Sequence, residues 1–197
     1  MTQLERDIRG LERQHELLRF AEFDAAQAWQ LGSRLRSLAE LRGHAMAIEV
    51  RLGRRTVFYS SMPGATAVND DWVRRKRNTA ELFEKSSYWV GRTLEREGLT
   101  LEQKMGAASA TYAVHGGAFP LLLQNGACAG CVTVSGIPER EDHALVVEAI
   151  SGMCGMRVSC SFPEGACPCR PTSHHPGSYT GNRRWMRYHC TDSHSDD

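Results

Sequence analysis

Residues 115–135 read HGGAFPLLLQNGACAGCVTVS: an apolar run, an Asn125-Gly126 pair, then a second run rich in small and β-branched residues. Asn-Gly between two such runs is a strong hairpin signal, because the tight turn wants positive φ at both central residues. The stretch therefore predicts two antiparallel strands, the first drawing on Val114, Phe119 and Leu121–Leu123, the second spanning Ala127–Ser135.

Working outward, residues 44–52 alternate Met46, Ile48, Val50 and Leu52 with smaller or charged residues, turn at Gly53-Arg54-Arg55, and return over Thr56–Ser61. That is a second hairpin. Around the hairpins the period changes to that of a helix. Leu4, Ile8, Leu11, His15 and Leu18 form one stripe over residues 3–20, weakened by Gly10. Asp24 is a fitting N-cap for a helix through Ala28, Trp29, Leu31, Leu35, Leu38 and Leu41. Residues 70–97 are helical in two pieces, with Asn69 as N-cap and a break at Ser86-Ser87. After Ser135-Gly-Ile-Pro, the acidic residues Glu139, Glu141 and Asp142 favour the start of a last helix. Hairpins separated by helices predict an α+β domain, an antiparallel sheet with helices on one or both faces.

The chain has 197 residues, with 24 Lys+Arg against 23 Asp+Glu, and 41% are hydrophobic. Near-neutrality supports no nucleic-acid partner, and no apolar run is long enough to span a membrane. The charged, alternating start predicts no secretory signal, and so a cytoplasmic protein with free thiols. Five of the seven cysteines lie beyond residue 150, where Leu and Ile are absent and Val158 is the only valine. We therefore divide the chain into a domain over 1–152 and an irregular tail over 153–197, rich in Cys, His and Pro and unable to build a core. A disordered end, or one read from another frame, fits that composition; its Cys and His residues lack the usual spacing of a zinc site.

Paired glycines beside a strand allow close approach of either a ligand or another stretch of backbone, and His115 beside them could ligate iron, move a proton, or make an ordinary hydrogen bond. On the helix that begins near Asn69, the residues Asn69, Trp72, Arg75 and Lys76 fall near one face. They read either as an aromatic plate with cations for an anionic group, or as a cap, a core indole and a solvated basic run. Asp142-His143 invites an acid–base reading, but neighbours on a helix point apart, so capping or a subunit contact is the alternative. Cys128-Ala-Gly-Cys131 lies within a strand, where residues i and i+3 face opposite sides, and reads as two small buried residues rather than a redox pair.

His115-Gly-Gly-Ala-Phe-Pro, Asn125-Gly, Val134-Ser-Gly-Ile-Pro and Glu141-Asp-His, with Phe23-Asp, Ala28-Trp and Asn69-Asp-Asp-Trp, resemble the HbpS-like (GlcG-type) haem-degrading-domain family, closest to its cytosolic branch. The resemblance implies a profilin-like sandwich that self-associates, with haem or a related tetrapyrrole as ligand. It implies that His115, Gly116, Gly117, Phe119 and Pro120 floor a pocket, with His115 as axial iron ligand and Trp72, Arg75, Lys76 and Asn69 beside it. Ala118 stands where the family often has a third Gly. Two readings follow: a haem-binding, haem-degrading homo-oligomer, or a non-catalytic oligomeric interaction module without a cofactor.

Overall fold

The computed structural model describes residues 1–154. The residues from 155 onward, which carry nearly all of the expected tail, lie outside the described part.

Helix α1 (Gln3–Leu17) starts at Thr2, whose hydroxyl accepts from the Glu5 amide while the Glu5 carboxylate accepts from the Thr2 amide. A two-residue strand β1 (Arg19–Phe20) follows, then α2 (Ala25–Leu41), capped by Asp24 as expected. The hairpin β2 (Ala47–Leu52) and β3 (Arg55–Ser61) leads to α3 (Ala67–Phe83), α4 (Ser87–Glu97) and the short α5 (Leu101–Met105). The second hairpin, β4 (Ala118–Leu123) and β5 (Cys128–Ser135), leads to α6 (Glu139–Met153). Asn69 sits three residues into α3, not at its cap. The cap is Thr66, whose amide and hydroxyl donate to the Asn69 side-chain oxygen.

The five strands lie in the order β1-β4-β5-β2-β3, all antiparallel except the β1–β4 pairing. The first hairpin was legible, but β1 was not, because two residues carry no period. Val114 was expected in the strand and instead belongs to the loop before it; its carbonyl lies against Gly91 of α4, where a Cβ would come within 2.3 Å of it.

One face of the sheet presents Ile48, Val50, Phe58, Phe119, Leu121, Val132 and Val134 to α2 and α6, and this is the main core. Helix α3 covers the other face, where Cys131 packs with Ala80 and Ala118. The layering is helix–sheet–helix, with hydrophobic burial on both sides of the sheet holding it together.

A register shift between Leu121 and Leu122 leaves Ala129 as an extra residue in β5. This bulge corrects the expectation that Cys128 and Cys131 face opposite sides. It turns Cys128 to the α3 side, so that both thiols feel Glu81. Burial raises both, Cys131 to about 12, which is the reverse of a reactive redox pair.

Candidate functional site

The loop between α5 and β4 crosses the middle of α3, and polar side chains of that helix hold it. Asn78 donates to the Thr111 carbonyl at 2.9 Å, Arg74 to Ala110 at 2.9 Å, and Arg75 to Ser109 at 3.4 Å. At the end of this loop His115 comes to the surface with its ring edge-on to Trp72, centroids 4.8 Å apart at 75°. Arg75 lies over the Trp72 ring at 4.0 Å and is bridged to Asp71 at 2.8 Å. The Arg74 guanidinium, then Arg75, holds the Asp71 carboxyl below the usual range. Thus His115 and Trp72, 43 positions apart in sequence, meet on one surface with a stacked guanidinium beside them.

The glycines have a different task from the one a pocket floor would set them. A Cβ on Gly116 would come within 2.0 Å of the Glu139 carbonyl, and one on Gly117, at φ +123°, within 2.5 Å of the Val134 carbonyl. Both glycines admit the protein's own backbone, so the loop can run close under α6 and beside β5. The Ser87 hydroxyl fastens the loop, donating to the His115 carbonyl at 2.6 Å and accepting from the Ala118 amide at 3.1 Å.

Lys76 is not a surface cation. It is 3% exposed and donates to Asp142 at 2.7 Å and to the Val134 carbonyl at 3.3 Å. The chain could not signal this, because the partner lies 66 residues away on another helix. Asp142 also accepts from the Ile137 amide at 3.3 Å. Burial pushes its carboxyl up to about 6, against the lowering by Lys76. Asn69 is committed to Thr66. Phe119 is fully buried between His15 and His143, ring centroids 5.0 and 6.1 Å away, so neither it nor Pro120 reaches the surface.

That buried cluster was missed. His15 Nε2 accepts from the Ser86 amide at 2.9 Å, and His143 Nε2 lies 2.8 Å from Gln14 Oε1. Neither Nδ1 has a hydrogen-bond partner among the described residues. Burial lowers both imidazoles to about 3, so they are neutral near physiological pH. The position of His15 in an apolar helical stripe was the one available signal. Asp142 and His143 do point apart, as helical neighbours must, but both go inward, so His143 is no subunit contact.

Among the described residues, no three His, Cys, Asp or Glu side chains gather as a metal-binding group. His115 has an imidazole without a hydrogen-bond partner there, beside an aromatic wall and an arginine. Imidazole suits iron, an indole suits a flat apolar ring, and a guanidinium suits a carboxylate, so these three residues fit a haem.

Comparison with known proteins agrees with the fold and the motifs. The chain is 46% identical over 155 residues to a UPF0303 protein of Azotobacter vinelandii, covering 79% of this chain and 93% of that one. It is 49% identical over 149 residues to a UPF0303 protein of Burkholderia thailandensis, covering 76% and 90%. Among solved structures, the Ybr137w protein superposes with a TM-score of 0.69 at 27% identity, covering 75% of this chain and 87% of that one. HbpS matches at 0.54 and 17% (68% and 92% covered), and the PduOC:Heme complex at 0.55 and 18% (62% and 88% covered); these two share the fold. The model of the family described as haem degrading protein HbpS-like matches residues 23–151, which take in α2, both hairpins, α3 to α5, the His115 loop and nearly all of α6. The chain is a member of the HbpS-like family.

Proposed function

We propose that the protein binds haem or a related tetrapyrrole at the surface formed by His115, Trp72 and Arg75, and that it does so as a self-associating cytoplasmic protein. The observation that carries the reading is the exposed His115 imidazole set against Trp72. In it His115 would hold the metal, Trp72 would offer an apolar wall, and Arg75 would pair with a carboxylate side arm. Haem, when bound, would supply iron chemistry, and haem degradation is what the family's description names. Lys76, Asn69, Gly116, Gly117 and Phe119 serve this surface indirectly: the ion pair, the cap, the close backbone approach and the core hold α3 and the loop together. No helix of the described residues is long and apolar enough to cross a membrane. A non-catalytic interaction module without a cofactor is the competing reading.

Hemin titration of the full chain separates them. Saturable binding with a shifted Soret band is expected. The shift should be lost in His115→Ala, retained in His143→Ala, and retained when Cys167, Cys169, His174 and His175 are replaced. The His115→Ala loss should raise Kd roughly tenfold or more. Nonsaturable binding, or binding indifferent to His115→Ala, leaves the interaction module as the function.

A further inference from the structure

Among the described residues, the outer edge of the sheet is a built surface without a neighbour. Strand β3 is last in the strand order, and the opposite edge, β1, is only two residues long. The Met62 amide donates to the Met46 carbonyl at 3.0 Å, so Ser60 and Phe58, in step with it, pair inward to β2. Tyr59 and Ser61 between them turn their N–H and C=O groups to the open side, because facing residues of an antiparallel ladder alternate in this way.

Exposed apolar side chains flank that edge on both faces. On one, Trp29 of α2 is 59% exposed and sits edge-on to Phe58, rings 5.4 Å apart. Gly32, where a Cβ would come within 2.2 Å of the Phe58 ring, lets that ring pack so closely on α2. On the other face are Tyr59, 48% exposed, and Val68 at the start of α3, 64% exposed. Tyr59 donates to Asp70 at 2.5 Å, which ties the strand to the acidic start of that helix. Asp70 has no cationic partner among the described residues, and Arg54 and Arg55 at the other end of the strand have no anionic one.

We propose that β3 is the seam of a symmetric homodimer, paired antiparallel with β3 of a second copy. The inference rests on the self-association in the proposed function and says which surface performs it. An edge strand paired about a two-fold axis is its own complement. In this arrangement the two chains run in opposite directions, so Arg54 and Arg55 of one copy approach Asp70 of the other and the unmatched charges meet. Trp29 on one face and Tyr59 with Val68 on the other close over the new ladder and exclude water. The extra residue Val57, where the β2–β3 register shifts between Val50 and Arg51, twists the strand at its middle, where the two-fold axis falls, and leaves one short ladder on each side, Tyr59 and Ser61 of each copy facing the Arg55–Thr56 end of the other. A ladder that short depends on the flanking side chains, which is why their exposure matters.

Sedimentation of the full chain across the micromolar range tests this, with circular dichroism confirming that each variant folds. The wild type is expected to self-associate. Ser61→Pro removes an outward amide without touching the β2 ladder, and Arg55→Asp or Asp70→Arg sets like charges against each other. Each should raise the dissociation constant roughly tenfold or more, and the Arg55→Asp/Asp70→Arg exchange should recover much of the loss. A wild-type assembly that Ser61→Pro and both reversals leave intact overturns the seam while self-association stands. A wild-type monomer overturns both. An exchange as dissociated as the single variants overturns the antiparallel register.

Discussion

Single residues in this protein are decided by what lies across the fold from them. Lys76 belongs by sequence to a basic run, Arg74–Arg77, yet it alone of the four is buried, because α3 packs that face on the sheet and Asp142 meets it there. Two buried charges at 2.7 Å hold each other, and either one alone is uncompensated. Lys76→Met should therefore destabilise the fold by about 3 kcal/mol or more in urea unfolding, whereas Lys76→Met with Asp142→Leu should recover most of that loss. A single variant as stable as the wild type would show that the pair contributes nothing. Gly116 and Gly117 teach the same lesson. The sequence marks a close approach but not what approaches, and here it is the Glu139 and Val134 carbonyls.

At the scale of elements, local rules did well where the element is long and its signal repeats. The long helices came from their period or their starting residues and both hairpins from their turns, while the five-residue α5 was missed, being too short to repeat a period. The misses have physical causes. Strand β1 is too short to show a period, the bulge at Ala129 breaks the alternation that placed the two cysteines, and Asn69 caps in reverse from inside the helix. Gly10 is the residue that weakened the α1 assignment, and the structure shows why α1 tolerates it: it is exposed and nothing lies within 4 Å of an added Cβ. Helix formation there is favoured by the Thr2–Glu5 capping box and by the burial of Ile8, Leu11 and His15. Gly10→Ala should raise stability by roughly 0.5–1 kcal/mol, read as a higher urea midpoint with unchanged m-value. A lower midpoint would mean that α1 is not helical there in solution.

For the molecule as a whole, the two buried histidines set the response to acid. Each imidazole is held at about 3 in the folded state, against an ordinary value of 6.5. The unfolded chain binds more protons below that value, so stability is fully present above pH 6.5 and falls as the pH drops toward 3. Asp142 has the opposite sign. Its carboxyl is raised from 3.8 to about 6, so its contribution is fully present below 3.8 and is lost as the pH rises through 6. Between these values it offsets one histidine, and the net slope is that of one proton, about 1.4 kcal/mol per pH unit. Below pH 4 both histidines act together and the slope should about double. Unfolding midpoints measured from pH 7 to pH 3 should fall with this steepening. His143→Gln, which keeps a polar group near Gln14, should flatten the curve, and an unchanged curve would remove His143 from the account.

The sequence by itself determined the α+β class, the two hairpins, the main helices and the family motifs, because those depend on turn chemistry and hydrophobic period within a few neighbouring residues. Of the surface around residue 115, it supplied His115, Trp72 and Arg75 as separate candidates. Only the tertiary structure brought the first two within 4.8 Å, withdrew Lys76 and Phe119 into the interior, buried His15 with His143, and left β3 as the open edge. Those outcomes turn on which faces pack together across the sheet, and residues 40 to 130 positions apart carry no local record of their partner.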